Sequence, residues 1–329
     1  GRNGRNRDGF VLVFSSAIFL FAFLPAVFII YRLLPGIRSR NVFLALSSLV
    51  FYAFGQLVYL PLFLASILIN YISGLLLAGK FRRLILTLAV VLNLGILCVF
   101  KYTDFLIGNI NSLFGTAIPL TGIVLPIGIS FFTFQGLSYT IDVYREPECG
   151  TRDFTKLLLY ISFFPQLIAG PIVRYSVVEQ EIDNRSVNAT DLCEGALRVI
   201  LGLAKKVIIA NNLWSIVNTF FGKDITGLSV LGTWYTIIVY SLYVYFDFSG
   251  YSDIAIGLGR MFGFHFDENF RHPFACTTIA EFWQRWHISL GSFFRDYLLY
   301  VPFFGKPRKY FGLFLVWFCT GLWHGASWN

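Results

Sequence analysis

A histidine set between two indoles, Leu322-Trp323-His324-Gly325-Ala326-Ser327-Trp328, stands near the end of this 329-residue chain. Indoles on both sides keep water off the imidazole and favour its neutral form, in which a ring nitrogen takes a proton as a general base. Gly325 and Ala326 leave room beside the ring for a substrate. A second histidine, His287, follows Trp283, Gln284, Arg285 and Trp286. Those neighbours suit a packed, satisfied imidazole as well as a working one, and both readings stand. The third polar group in apolar surroundings is Tyr245-Phe246-Asp247-Phe248-Ser249-Gly250-Tyr251-Ser252-Asp253, with two carboxylates six residues apart. Paired acids do acid–base work, but this spacing puts the two on different helix faces. The plainer reading is that they cap a helix break around Gly250 or pair with Arg260 or Arg271.

Other chemistries lack their residues. The sequence holds no G-x-S-x-G elbow, Walker loop, dinucleotide fingerprint or H-E-x-x-H. His265 and His272 share a loop without a cysteine pair, a poor metal site. Cys319 lies five residues before His324, roughly 140° around a helix, so the two do not form a Cys-His pair. The five cysteines are odd in number and far apart, which argues against a disulfide framework.

The elements that must position these groups are set by composition. With 56% hydrophobic and only 13% charged residues, the chain has too little polar surface to cover a soluble fold, so its solvent is lipid. The net charge of +8 gathers in short clusters between apolar runs, the pattern of positive-inside anchoring rather than of a nucleic-acid groove. A basic tail over 1–12 precedes one membrane-embedded domain over 13–329. Apolar runs are expected over 10–34, 42–79 (interrupted at Gly55-Gln56 and Pro61), 84–100, 123–141, 154–178, 230–260 and 310–328. Pro165, Gly170 and Pro171 should break the run over 154–178. Lys101-Tyr102-Thr103-Asp104 reads as an interfacial stretch leading into a loop to about residue 122, and 179–191 as a polar linker. Thr278 and Glu281 match a capping box opening an amphipathic helix over 278–300, with Trp283, His287, Leu290, Gly291 and Phe294 on one face.

Taken together, these segments resemble the membrane-bound O-acyltransferase family, in its bacterial branch of alginate O-acetylation and teichoic-acid D-alanylation proteins. The resemblance rests on Val13-Phe14-Ser15-Ser16, Leu125-Pro126-Ile127-Gly128-Ile129-Ser130-Phe131, Ile141-Asp142-Val143-Tyr144-Arg145, the run Phe164-Pro165-Gln166-Leu167-Ile168-Ala169-Gly170-Pro171, the segment from Tyr245 to Gly259, Glu281 to Leu290, and Trp323-His324-Gly325-Ala326, in that order. It implies an all-α polytopic membrane protein, a ring of tilted and broken helices around a central funnel or tunnel. His324 takes the place of the family's catalytic histidine and His287 that of its second histidine, while Asp247 and Asp253 fall in a structural motif. Trp283, Gln284, Trp286, Trp323 and Trp328 are then expected along the substrate tunnel, with Trp323, Trp328 or Gln284 offering an N–H to an oxyanion.

The activity implied is transfer of an acyl group, acetyl first, from a cytoplasmic thioester donor (acetyl-coenzyme A or an acyl carrier). The group crosses a bacterial inner membrane to a hydroxyl of an exported polysaccharide or to a periplasmic acyl-transfer partner. No bound cofactor or metal is implied. D-alanyl transfer from a carrier-protein thioester and a non-enzymatic polysaccharide channel are the alternatives. The sequence departs from the family at Pro302-Phe303-Phe304-Gly305, where Pro-Leu-Gly-Gly is usual. The basic residues that follow, Lys306, Arg308 and Lys309, read as a membrane anchor or as an attraction for an acidic donor. Relatives continue past Trp-His-Gly-Ala, so C-terminal helices are expected to be missing.

Overall fold

The structure, a computed structural model, describes residues 14–168, 170–221, 228–299 and 309–327. The tail over 1–12, Val13, Ala169, Pro302-Phe303-Phe304-Gly305, Lys306, Arg308 and Trp328 lie outside the described residues. Among the described residues there is no strand. The helices are α1 (Leu24–Leu33), α2 (Ile37–Gln56), α3 (Leu60–Leu76), α4 (Arg82–Phe114), α5 (Ile129–Arg145), α6 (Phe154–Ser162), α7 (Phe164–Leu167), α8 (Tyr175–Asp183), α9 (Ala189–Leu203), α10 (Asn211–Phe221), α11 (Val230–Met261), α12 (Ile279–Arg285), α13 (Ile288–Phe294) and α14 (Lys309–His324). π-helical turns occupy Phe19–Phe23, Ala204–Ala210 and Arg295–Leu299. By length and composition, Ile37–Leu76 and Arg82–Phe114 are long and apolar enough to cross a membrane. The first of these is interrupted where Gln56 leaves helical geometry (φ −148°, ψ 44°), as Gly55-Gln56 and Pro61 predict.

The chain forms two compact units, one mainly from residues up to Phe43 and Gln180–Ile288, the other mainly from Leu44–Ile168, Ile172–Glu179 and Ser289 onward. In the first unit, α9 and α11 run antiparallel and touch through glycines spaced seven apart on each. A Cβ on Gly257 would stand 2.6 Å from the Gly195 carbonyl oxygen, and one on Gly202 2.7 Å from that of Gly250. Such closeness brings the charges of the two elements together. Lys206 pairs with Asp247, while Arg198 (2.9 Å) and Lys205 (2.6 Å) both pair with Asp253. The expected helix break at Gly250 is therefore absent, because α11 runs unbroken from Val230 to Met261. The carboxylates are paired as expected, but from the α9 side rather than by Arg260 or Arg271. Arg260 instead meets Asp191 and Glu194.

In the second unit, a polar clasp ties three helices. Asn70 and Asn93, both fully buried, exchange amide hydrogen bonds (3.0 and 3.1 Å), and the Thr140 hydroxyl donates to Asn70 Oδ1 (2.9 Å). Gly136 lets the Asn70 amide lie against α5, where a Cβ would collide with it. The outward face of α4 is apolar and exposed at Leu84, Leu88, Val91, Leu92 and Val99, whereas Ala89, Asn93 and Leu97 are inside. This small-and-polar-inside, apolar-outside pattern suits a lipid solvent.

α4 also overruns its expected end by a full fourteen residues, to Phe114. The polar residues taken for a loop are satisfied where they stand. Lys101 donates to the Trp323 carbonyl, Asp104 accepts from the Thr121 and Gly122 backbone, and Asn109 donates to the Phe105 carbonyl.

Candidate functional site

The helix expected over 278–300 breaks at the residue that matters most. Thr278 caps α12 as predicted, its hydroxyl accepting from the Glu281 N–H (3.1 Å). The Glu281 carboxylate turns to Thr277 instead, accepting from its N–H (2.8 Å) and hydroxyl (3.0 Å), and these bonds hold its pKa below the usual glutamate value. α12 then ends at Arg285, Trp286 is extended, and His287 takes a left-handed conformation (φ 44°) before α13 begins. The single-face arrangement of Trp283, His287, Leu290, Gly291 and Phe294 is corrected accordingly, since a residue at positive φ cannot continue a right-handed helix.

A local network holds this non-glycine residue at its strained φ. The Ile288 N–H donates to the Asn269 carbonyl (3.0 Å) and the Arg271 N–H to that of Arg285 (3.0 Å), pinning the break to the loop after α11. The His287 ring is 3% exposed, with Nδ1 3.1 Å from Asn269 Oδ1. Asn269, itself fully buried, donates its Nδ2 to Ser252 Oγ (3.0 Å), which turns its Oδ1 toward the histidine. That orientation makes Oδ1 the acceptor, puts the His287 proton on Nδ1 and leaves Nε2 as the basic nitrogen. Phe248 stands edge-on to the ring at 4.6 Å. Trp286 packs beside it on Phe282 (5.5 Å) and Phe270 (5.2 Å). Trp283 and Gln284, by contrast, are on the exposed side of α12.

His324 is the last residue of α14, in the second unit. The Trp323 ring meets it edge-on at 4.8 Å and rests against Phe131 (6.1 Å) and Phe134 (6.4 Å), next to the cluster of Phe134, Phe293, Phe294 and Tyr297. α4 fastens this helix end. Lys101 donates to the Trp323 carbonyl and holds its ammonium 5.6 Å from the indole, while the Tyr102 hydroxyl donates to the Leu322 carbonyl (2.8 Å). A cation at a helix C-terminus satisfies carbonyls that lack an intrahelical partner and complements the helix dipole. Among the described residues His324 is exposed, and Trp328, the second indole expected beside it, lies outside them.

Sequence reasoning missed Lys101 and Tyr102 as supports of the histidine, having read them as interfacial, and missed Asn269 altogether. The only signal for Asn269 is a carboxamide in an aromatic loop, Glu268-Asn269-Phe270, which needs a buried partner. The motif Ile141-Asp142-Val143-Tyr144-Arg145 also acquires a role. Tyr297 donates to Asp142 (2.7 Å), Arg145 to the Asp296 carbonyl (2.8 Å), and Arg174 pairs with the Asp296 carboxylate, fixing the π-helical turn after α13.

The described residues form helices, loops and turns without a strand, two helical stretches are long and apolar enough to cross a membrane, and sequence comparison assigns the class. The chain belongs to the membrane-bound O-acyltransferase family, whose profile matches residues 42–329, as the motifs indicate. It is 41% identical to the probable alginate O-acetylase AlgI of Azotobacter vinelandii over 97% of this chain and 66% of that protein. It is 37% identical to the peptidoglycan O-acetyltransferase of Helicobacter pylori (97% and 68%) and 31% identical to the teichoic acid D-alanyltransferase of Bacillus subtilis (64% and 56%). The chain spans 62% to 66% of the length of three of the alginate O-acetylases it matches.

Proposed function

We propose that the protein transfers an acetyl group from a cytoplasmic thioester to a hydroxyl on the far side of a bacterial inner membrane, with His324 as general base. The observation that carries this reading is the match over 42–329 to an O-acyltransferase family, with His324 standing in the matched region at a fastened helix end. His324 takes the proton of the acceptor hydroxyl as its oxygen attacks the thioester carbonyl. The C–O bond forms, the C–S bond breaks, and the proton passes to the departing thiolate. An N–H donor for the oxyanion is supplied by Trp323, Trp328 or Gln284. His287, held with Nε2 as its basic nitrogen, lines the path. Trp283 and Trp286 line it as well.

Acetyl is favoured over D-alanyl because the relatives matched over 97% of the chain at 37% and 41% identity are named as O-acetyl enzymes, whereas the D-alanyltransferase match covers 64%. The acceptor is then an exported polysaccharide or a periplasmic protein that hands the group on. A protein-walled path through the membrane orients the two substrates and limits hydrolysis of the thioester.

The test is transfer from labelled acetyl-coenzyme A in membranes. His324→Ala is expected to abolish acetyl transfer while the helical circular dichroism of the purified protein is unchanged. Retained turnover removes His324 from the mechanism, and label accepted only from a D-alanyl carrier reassigns the acyl group.

A further inference from the structure

Within the first unit, between α9, its π-helical extension, α11 and the loop after α11, lies a cavity of about 410 Å³ to which the proposed reaction assigns no step, and which shares Ser252, Asn269 and Phe270 with the surroundings of His287. Its floor is one stripe of α11, Tyr245, Ser249, Ser252, Asp253 and Ile256, at helical spacing. Its wall carries three cations, Arg198, Lys205 and Arg271, against two carboxylates, Asp253 and Glu268.

The carboxylates are already taken. Asp253 Oδ1 accepts from Arg198 and Oδ2 from Lys205 (2.6 Å), while both Glu268 oxygens accept from Arg198. The hydrogen-bonding capacity left over is on the donor side. Among the described residues, Arg271 is the wall cation with no carboxylate partner, and Lys205 has ammonium protons beyond the one given to Asp253. Ser249 is the most telling. It is 2% exposed and lines the cavity, yet among the described residues its Oγ has no hydrogen-bond partner, although a helical serine can satisfy itself on the carbonyl four residues back. A buried hydroxyl left unpaired is costly unless a ligand or solvent meets it.

A wall with one net positive charge and donors from three separate elements rejects cations and suits an oxyanion with several oxygens. The volume is more than ten times the ~30 Å³ share of a water molecule, and Tyr245, Phe270 and Ile256 supply apolar surface, so the ligand has an organic part. We propose that this cavity binds the phosphate group of an organic phosphate ester, with Arg271 and Ser249 as its principal contacts. The ester is either the headgroup of a membrane phospholipid or a soluble phosphate ester, which present the same chemistry.

Two measurements on the detergent-purified chain separate these sources. In the first, glycerol 3-phosphate is titrated by calorimetry, with glycerol as the neutral control. In the second, native mass spectrometry counts phosphatidylglycerol retained after extraction from nanodiscs of that lipid. Arg271→Gln and Ser249→Ala are each expected to weaken ester binding at least tenfold, or to remove the retained lipid, with circular dichroism unchanged. Ester binding without retained lipid supports a soluble ligand, and retained lipid supports the headgroup. The proposal is overturned if neither ligand binds, if glycerol binds as well as its phosphate, or if both variants bind like the parent chain. None of these readouts passes through acyl transfer, so they stand apart from the role of His324.

Discussion

Asn269 has one oxygen and one amide to place, and it places both: Nδ2 on Ser252 and Oδ1 toward His287. Its backbone carbonyl meanwhile holds the Ile288 N–H. Asn269→Leu keeps the volume and the backbone bond but leaves the imidazole N–H without its acceptor. The expected loss is about 1–3 kcal/mol of unfolding free energy, read as a lowered thermal midpoint of the purified protein. Lys101 acts at the other histidine. Lys101→Met keeps the apolar stem and removes the donor that fastens the Trp323 carbonyl, so the last turn of α14 loosens. Acetyl transfer is expected to fall by about tenfold to a hundredfold, as displacements near 1 Å commonly do, without change in helical content. Unaltered transfer in this variant removes Lys101 as a positioning residue.

At the scale of elements, the contact of α9 with α11 depends on glycines because the facing atoms are backbone, which cannot step aside. Gly202→Ala and Gly257→Ala are each expected to destabilise the protein by about 1–3 kcal/mol, whereas Gly321→Ala on α14, with nothing within 4 Å, is expected to be neutral or slightly favourable. Thermal midpoints of the three variants decide this. The start of α12 depends on charge. Because Glu281 has a depressed pKa in the folded chain, its contribution is present above the ordinary value of 4.5 and is lost as pH falls through the folded value. Hydrogen exchange of the α12 amides should therefore speed up on going from about pH 6 to about pH 3.5, beyond the intrinsic pH dependence, and Glu281→Gln should abolish that extra change.

Elements governed by their own residues were legible in advance: the interruption at Gln56, the Thr278 cap, the breaks around Pro165. Those governed by distant partners were not. Lys101 and Asp104 look like loop residues until the Trp323 carbonyl and the Thr121 N–H are found beside them. His287 sits in a sequence with good helical periodicity, and only its bonds to a loop eighteen residues earlier explain a positive φ there.

For the molecule as a whole, the charge pattern makes a topological prediction. Arg38 and Arg40 precede α2, and Lys80, Arg82 and Arg83 follow α3, with the interruption at Leu57–Tyr59 between them. The two helices have 20 and 17 residues, roughly 30 Å and 25 Å at about 1.5 Å per residue. Single cysteines introduced at Gly36 and Phe81 in a cysteine-free background should be protected from an impermeant thiol reagent in intact cells, and one at Val58 should react. Labelling of all three, or of none, contradicts two crossings. The composition already pointed to lipid, and the family match makes the chain a member of a membrane-bound family. What composition could not reveal is how the buried polar minority is satisfied, since Asn70 and Asn93 are twenty-three positions apart. Their pairing bears on biogenesis. α3 and α4 are consecutive, separated only by residues 77–81, so the second carboxamide emerges from the ribosome soon after the first. A nascent segment carrying one unmatched carboxamide is reluctant to leave an aqueous translocation channel. Released together, the two helices carry each other's hydrogen bonds into the bilayer, and Thr140 joins only when α5 arrives.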